Sequence, residues 1–369
     1  MDEPKKYESI KHFVSIAGFV LNVVVLGYVL TSGWSIRIRS FAESIAGSEW
    51  AVVLVYVIVT GSIFKIVQLP LEFYSSYRVE HRFGLSRESF ADWIKDELKS
   101  LAIGVPLSVG AAEVIYYLLR TYPIYWWVYA SLAVITFAVV VTNLAPVLLL
   151  PLFFKFKPVE NENLQKRVDR LARRMDTKVC GIFEWALGEK TRKANAAVVG
   201  WGNTRRIIVS DTLLEKFSGE EIEVIMAHEL CHHLKNHIWQ GMALQSVLTF
   251  AAFYAAHRIL PPLSQTWGFR GLSDIAGFPL LALVITTLSL LVLPAVNYFS
   301  RRLETAADLY ALDLTGDPLA FVSSMEKLAE LNLTNKNPNR IVEFLLYSHP
   351  SVERRIKLAA DRVGQNVPL

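Results

Sequence analysis

Cysteine is almost missing from this sequence: Cys180 and Cys231 are the only two in 369 residues. That excludes a disulfide framework and suits a reducing environment for any soluble part. Blocks of like charge are missing too. No run of about five or more Lys or Arg occurs, so the formal charge of +4 and the pI near 8.9 do not describe a nucleic-acid-binding arm. No nucleic-acid partner is expected. A signal-peptide cleavage site is also lacking: the first apolar run, Phe13 to Trp34, is too long for a signal-peptide core and is followed by no clear small-residue site. It reads as a retained anchor.

What is abundant is apolar surface. The chain is 53% hydrophobic with a mean hydropathy of +0.33, too apolar for a soluble protein of this length. A helix crosses the hydrocarbon core with about 20 mostly apolar residues, and six stretches approach that length, near 13–33, 50–69, 101–119, 126–150, 239–257 and 276–299. Lys65 and Glu113 fall in or beside these spans, where an ionisable group must face protein, water or the interface. Snorkelling or an internal ion pair is the simpler expectation for Lys65; Glu113, in mid-span, can line a polar cavity. Lys and Arg concentrate in the N-terminal tail, the 70–100 loop, the 153–238 segment and the C-terminal segment, which the positive-inside rule places in the cytoplasm. Both termini are then cytoplasmic, and only short loops near 35–49, 121–124 and 259–275 face outward.

The expected organisation is an N-terminal membrane region over 1–152, a first soluble part over 153–238, two further spans over 239–299 and a second soluble part over 300–369. Leu164, Val168, Leu171 and Met175 recur at helical spacing, predicting an amphipathic helix over Asn161 to Met175. Two strand-like runs follow, Ala194 to Val199 and Arg206 to Ser210, joined as a hairpin by Gly200-Trp-Gly-Asn-Thr. One of the two is expected at a sheet edge. Ser218-Gly-Glu-Glu221 has the form of a capping box for the next helix.

That helix contains Ile225-Met-Ala-His228-Glu229-Leu-Cys-His232-His233. His228 and His232, at i and i+4, project from one face about 5 to 6 Å apart at Cβ, so one zinc ion can take both imidazoles. Glu229 stands beside them, where a carboxylate can accept a proton from an attacking water and return it to the leaving amine. A catalytic zinc site takes three protein ligands. His237 follows His232 by five residues, which on an unbroken helix turns it away by about 140°, so a solvated or interfacial His237 is expected; His233 is also off the ligand face. The better third ligand is Glu304 in Ser300-Arg-Arg-Leu-Glu304-Thr-Ala-Ala-Asp308. Two spans that go out and return would bring this segment back. Asp308, at i+4 from Glu304, can accept the spare N–H of a ligand histidine and fix its tautomer. The competing reading is that both carboxylates pair with Arg301, Arg302 or lysines on a solvated face.

These blocks resemble those of the type I CaaX prenyl protease family, membrane-embedded zinc metalloproteases that cut prenylated protein tails. His228-Glu-Leu-Cys-His232 and Ser300-Arg-Arg-Leu-Glu304-Thr-Ala-Ala-Asp308 are similar to its two metal motifs, in which the Glu of the second is the third ligand. Leu69-Pro-Leu-Glu-Phe-Tyr with Glu80-His-Arg-Phe-Gly-Leu, Asn143-Leu-Ala-Pro with Pro151-Leu-Phe-Phe-Lys-Phe, and Arg206-Ile-Ile-Val-Ser-Asp-Thr-Leu-Leu are similar as well. The resemblance implies one zinc per chain and a peptide or lipidated-protein substrate reached from the bilayer. It also implies that Asn195 lies beside the substrate backbone, and that His349 and Arg355 hold substrate or the oxyanion. Read from the residues alone, Asn195 is a turn residue and His349 a helix-boundary residue before Pro350. The chain departs from the pattern in having fewer spans than family members, and in Lys193 and Ala197 around Asn195. The end, Asn366-Val-Pro-Leu, carries no cysteine, so the chain is not itself expected to be prenylated.

The sequence therefore predicts a mainly α protein: a polytopic transmembrane helical bundle of about six spans with a cytoplasmic α+β zinc metalloprotease domain. Two other readings stay open, a quality-control membrane protease of the heat-shock type and a catalytically silent membrane scaffold.

Overall fold

Large apolar side chains lie on the outside of this protein. Phe13, Ile66, Val247 and Leu291 are exposed by 72%, 70%, 66% and 71%, as expected of helices whose solvent is lipid. The computed structural model describes residues 2–200 and 205–366. The chain begins with α1 (Glu3–Thr31), α2 (Trp34–Ile45) and α3 (Glu49–Phe73), the last continuing through a π-helical segment (Tyr74–Val79) into α4 (Glu80–Arg82). Then come α5 (Phe90–Thr121), α6 (Trp126–Leu148) and α7 (Leu150–Phe153). The following segment alternates strands and helices: β1 (Phe156–Pro158), α8 (Glu162–Arg174), β2 (Ile182–Trp185), β3 (Ala196–Val199), β4 (Arg206–Ser210), α9 (Asp211–Lys216) and α10 (Gly219–Leu234). Helices α11 (His237–Thr266), α12 (Phe278–Thr315), α13 (Pro318–Leu331), α14 (Arg340–Leu346) and α15 (Val352–Asn366) complete the described chain.

Among the described residues, five helical stretches are long and apolar enough to cross a membrane: Glu3–Thr31, Glu49–Arg82, Phe90–Thr121, Trp126–Leu148 and Ile275–Thr315. Five of the six expected spans fall on them. The sixth, 239–257, lies in α11, whose Gln240, Gln245, His257 and Arg258 interrupt its apolar runs. Its 30 residues extend about 45 Å at helical rise, and α11 packs alongside α6 and α12. The expected outward loop at 35–49 is corrected: most of it is α2. Two of its polar residues are internal partners, with Ser35 Oγ 2.6 Å from Tyr56 Oη and Arg39 Nη1 2.5 Å from Asp274 Oδ2, so a composition that reads as loop folds as a helix with one buried face. Lys65 forms the internal ion pair, bonded to Glu72 and, at 2.7 Å, to Glu97. Glu113 Oε2 is buried in α5 without a hydrogen-bond partner.

The sheet has the order β1-β2-β4-β3, with β2 and β4 parallel and the other pairs antiparallel. β3 is therefore an edge strand. β1 and β2, three and four residues long, are too short for an alternation to show in sequence. The strands β3 and β4 pair as a hairpin would, though residues 201–204 of the expected Gly200-Trp-Gly-Asn-Thr connection lie outside the described residues. α8 starts at the Asn161 cap and buries Leu164, Val168 and Leu171 against Ile207 and Val209 of the sheet and Ile222, Ile225, Met226 and Leu230 of α10. Burying a Leu or Ile side chain is worth about 1.5–3 kcal/mol, so this shared core fixes α10 firmly on the sheet.

Candidate active site

Helix α10 starts at a complete capping box: Ser218 Oγ accepts from Glu221 N, and Glu221 Oε2 accepts from Ser218 N at 2.7 Å. Lys327 Nζ of α13 and Ser323 Oγ also donate to Glu221, which ties the helix start to a second helix. One turn from the other end stand His228, Glu229 and His232. α12 packs against α10, and its Glu304 and Asp308 meet the two histidines.

The distances suit a small tetrahedral cation. His228 Nε2 lies 3.2 Å from His232 Nε2 and 3.2 Å from Glu304 Oε2, and His232 Nε2 lies 3.5 Å from Glu304 Oε1. Ligand atoms about 2.0–2.1 Å from a tetrahedral zinc are separated by about 3.3–3.4 Å. One ligand atom from each of these three residues can be chosen so that all lie within 4.8 Å of one another. Glu304 Oε2 is buried and has no hydrogen-bond partner, a costly condition for a carboxylate oxygen unless a cation takes its lone pairs. These residues fit a zinc ion.

Behind them, Asp308 Oδ1 is 2.9 Å from His228 Nδ1, off the line of a good hydrogen bond. Asp308 also accepts two bonds from Arg355, Nε to Oδ2 at 2.8 Å and Nη2 to Oδ1 at 2.6 Å. The solvated-face alternative for the carboxylates does not describe this arrangement: both are buried, and Arg301 instead donates to the carbonyls of Glu343, Phe344 and Tyr347. Burial alone would lower the pKa of His228, but the carboxylates of Asp308 and Glu304 close to it outweigh this and raise it to about 9. Burial, and then the charge on His228, lower His232 to about 4. A cation bound through both imidazoles must displace that proton. Burial also raises Glu229 above the ordinary carboxylate range, helped by the neighbouring Glu304 charge, and thus closer to the pH at which a general base works best.

His237 corrects an expectation. It is buried, and its Nδ1 lies 3.1 Å from His232 Nδ1. The helix is not unbroken: α10 ends at Leu234, and Asn236 takes a left-handed conformation with φ 55° before α11 begins. The 140° offset of a regular helix does not apply because the chain turns at Asn236, a residue type that tolerates that conformation. His233 does point elsewhere, with Nε2 2.9 Å from Val198 O.

Adjoining the three candidate ligands, a cleft of about 510 Å³ is lined by Glu229, Asn195, His349 and Arg355, with Glu8 and His12 of α1. His349 Nε2 is 3.4 Å from Glu304 Oε1, and its side chain is 58% exposed. Arg355 has two of its three nitrogens engaged by Asp308. Asn195 is exposed and directly precedes the edge strand; its Oδ1 accepts from Ala196 N at 2.9 Å. Sequence reasoning missed Glu8 and His12, because no local pattern links the first helix to a cleft more than 180 residues away.

A helical membrane body carrying a small sheet, with a histidine pair and a glutamate on facing helices, defines a membrane-embedded metallopeptidase. The comparisons agree. Residues 158–363 match the model of peptidase family M48, and residues 1–155 match that of the CAAX prenyl protease N-terminal region, described as five membrane helices. This chain belongs to peptidase family M48 and is a metalloprotease. Within 1–155, four described helices are long and apolar enough to span, α2 with 12 residues being too short. An uncharacterized metalloprotease, YhfN, of Bacillus subtilis is 30% identical over 99% of this chain and 86% of its own length. CAAX prenyl protease 1 of Saccharomyces cerevisiae is 28% identical over 83% of this chain and 71% of its own. The crystal structure of S. mikatae Ste24p superposes with a TM-score of 0.87 at 25% identity, covering 96% of this chain and 88% of that one.

Proposed function

We propose that this metalloprotease is a zinc endopeptidase acting on extended peptide segments near the C-terminus of prenylated proteins. The observation that carries the reading is the convergence of His228, His232 and Glu304 beside a cleft containing Glu229 and an edge strand. A zinc ion held by these three residues supplies a Lewis acid and makes water a stronger nucleophile at neutral pH. Glu229 takes the proton of the attacking water and delivers it to the leaving amine. Asp308, held from behind by Arg355, keeps the His228 ring oriented with Nε2 toward the metal. His349 faces the negative charge that develops on the scissile carbonyl. Its exposure allows it to approach. Arg355 acts on that charge at longer range, through Asp308 and the guanidinium nitrogen left over. The substrate backbone adds to β3, with Asn195 exchanging its own bond to Ala196 N for one to the peptide.

The substrate class rests on the relatives named CAAX prenyl protease 1 or its homolog and on a cleft that Ile225, Leu328 and Leu346 line beside the span-length helix α1. Lys and Arg in the loops around the sheet support an active site and termini on the cytoplasmic side. The test is cleavage of a farnesylated tail peptide against its unmodified form. Wild-type protein should prefer the lipidated peptide, and Glu229→Gln should lower turnover by about 10²–10⁴-fold with metal content unchanged. Equal cleavage of both peptides would point to the quality-control reading; full activity of the Gln variant would remove Glu229 from its role.

A further inference from the structure

A cavity of about 720 Å³ lies on the far side of α12 from the zinc ligands, between α12, α14 and the start of α15. Its walls carry five arginines, at positions 301, 302, 340, 354 and 355, against two carboxylates, Asp308 and Glu343. Three of the arginines are engaged: Arg355 with Asp308, Arg354 with Glu343, and Arg301 with main-chain carbonyls at the end of α14. Arg302 and Arg340 have no hydrogen-bond or ion-pair partner among the described residues, and both are exposed. The walls therefore carry an unbalanced positive charge in a concave site.

Its position identifies what balances that charge. The apolar part of α12 ends at Ser300, directly before Arg301 and Arg302. Leu291, Tyr298 and Arg302 are spaced by seven and four residues, so they share one face, and Leu291 and Tyr298 are 71% and 54% exposed. This stripe faces lipid and leads into the cavity. On the opposite wall α14 turns Ile341 and Phe344 outward, 68% and 52% exposed. Asn297 Nδ2 donates to Leu345 O at 2.7 Å, fixing α14 at the level where the span ends. Apolar side chains at the rim, arginines within, and a membrane boundary through both are the features of a site for an anionic lipid.

We propose that this cavity binds the phosphodiester headgroup of an anionic phospholipid, with Arg302 and Arg340 on the phosphate and Tyr298 and Phe344 against the upper acyl chains. Arginine suits phosphate because its planar fork donates two parallel bonds. Each basic residue near an anionic membrane surface contributes about fivefold in affinity, so the pair accounts for about 25-fold. The cavity shares Arg355 and Pro350 with the catalytic cleft, but Arg302 and Arg340 lie outside that cleft, and the proposal does not depend on the peptidase substrate.

The test is native mass spectrometry of the full chain in detergent, titrated with phosphatidylglycerol, phosphatidylcholine or inorganic phosphate. Wild-type protein should retain phosphatidylglycerol at least about tenfold more tightly than phosphatidylcholine. Arg302→Gln/Arg340→Gln should lose about 25-fold of that affinity, and the corresponding double Lys variant should keep most of it. Tyr298→Ser/Phe344→Ser should weaken the lipid and leave phosphate unaffected. Thermal unfolding and metal content of each variant verify that the fold is intact. Undiminished lipid binding by a folded double Gln variant overturns the proposal; so does phosphate binding as tight as lipid binding, which assigns the cavity to a soluble anion.

Discussion

On the metal-facing side of α10, His228, Glu304 and Asp308 are buried and meet complementary groups at 2.6–3.5 Å. Around the cleft, Asn195 and His349 are exposed, and each bonds a sequence neighbour, Asn195 to Ala196 N and His349 to Ser348 Oγ at 3.0 Å, while His349 also reaches to 3.4 Å from Glu304. Buried ionised groups are tolerated only when partnered, so the first side has almost no freedom to drift. The second can exchange its local bonds for bonds to a substrate. The groups that would hold a metal and those that would meet a peptide adjoin one another, with Glu229 and His349 between them, and differ in freedom: one set is rigid and the other adaptable.

That contrast breaks first at Glu304. Glu304→Ala removes a proposed ligand from the rigid side and should lower zinc affinity by about 100-fold or more, beyond the range of outer-shell changes, as read by metal analysis after dialysis. Full zinc content would end the ligand assignment. Asp308→Ala should cost about 10–100-fold in zinc affinity. It should also destabilise the fold by about 3–5 kcal/mol, since Arg355 is left buried without its counter-charge. A thermal melt of metal-free wild type and variant reads the stability loss apart from the metal loss.

The next effect tests how far the rigid side extends. His237→Ala takes away the ring facing His232 Nδ1 and should weaken zinc by about tenfold; unchanged metal affinity would reduce His237 to a packing residue. The smallest effect belongs to the adaptable side. Asn195→Ala should raise KM for peptide by about fivefold, the worth of one hydrogen bond, at unchanged metal content. A loss of metal there would mean that the rigid and adaptable groups are coupled after all.

Much of this was legible because its physics is local. Apolar runs of span length, the Ser218 cap and the four-residue spacing of His228 and His232 depend on residues near one another in sequence. α2 was not legible, since Ser35 and Arg39 look solvated until Tyr56 and Asp274 are placed against them. His237 was misjudged for the opposite reason, a regular helix extended through a left-handed Asn236. Glu304 was found only because two motifs were considered together.

By itself the sequence determined what each segment is: apolar enough to prefer lipid, capped enough to be a helix, and furnished with donors of the kind zinc takes. Those properties follow from hydrophobic period, backbone preference and ligand chemistry over a few residues. Only the tertiary structure decided which donors meet. Glu304 lies 76 residues beyond His228, and their 3.2 Å contact depends on how α11 and α12 pack, a sum of many weak apolar contacts with no local signature. The same packing left Arg302 and Arg340 facing an open cavity while setting Asp308 against Arg355 and His228.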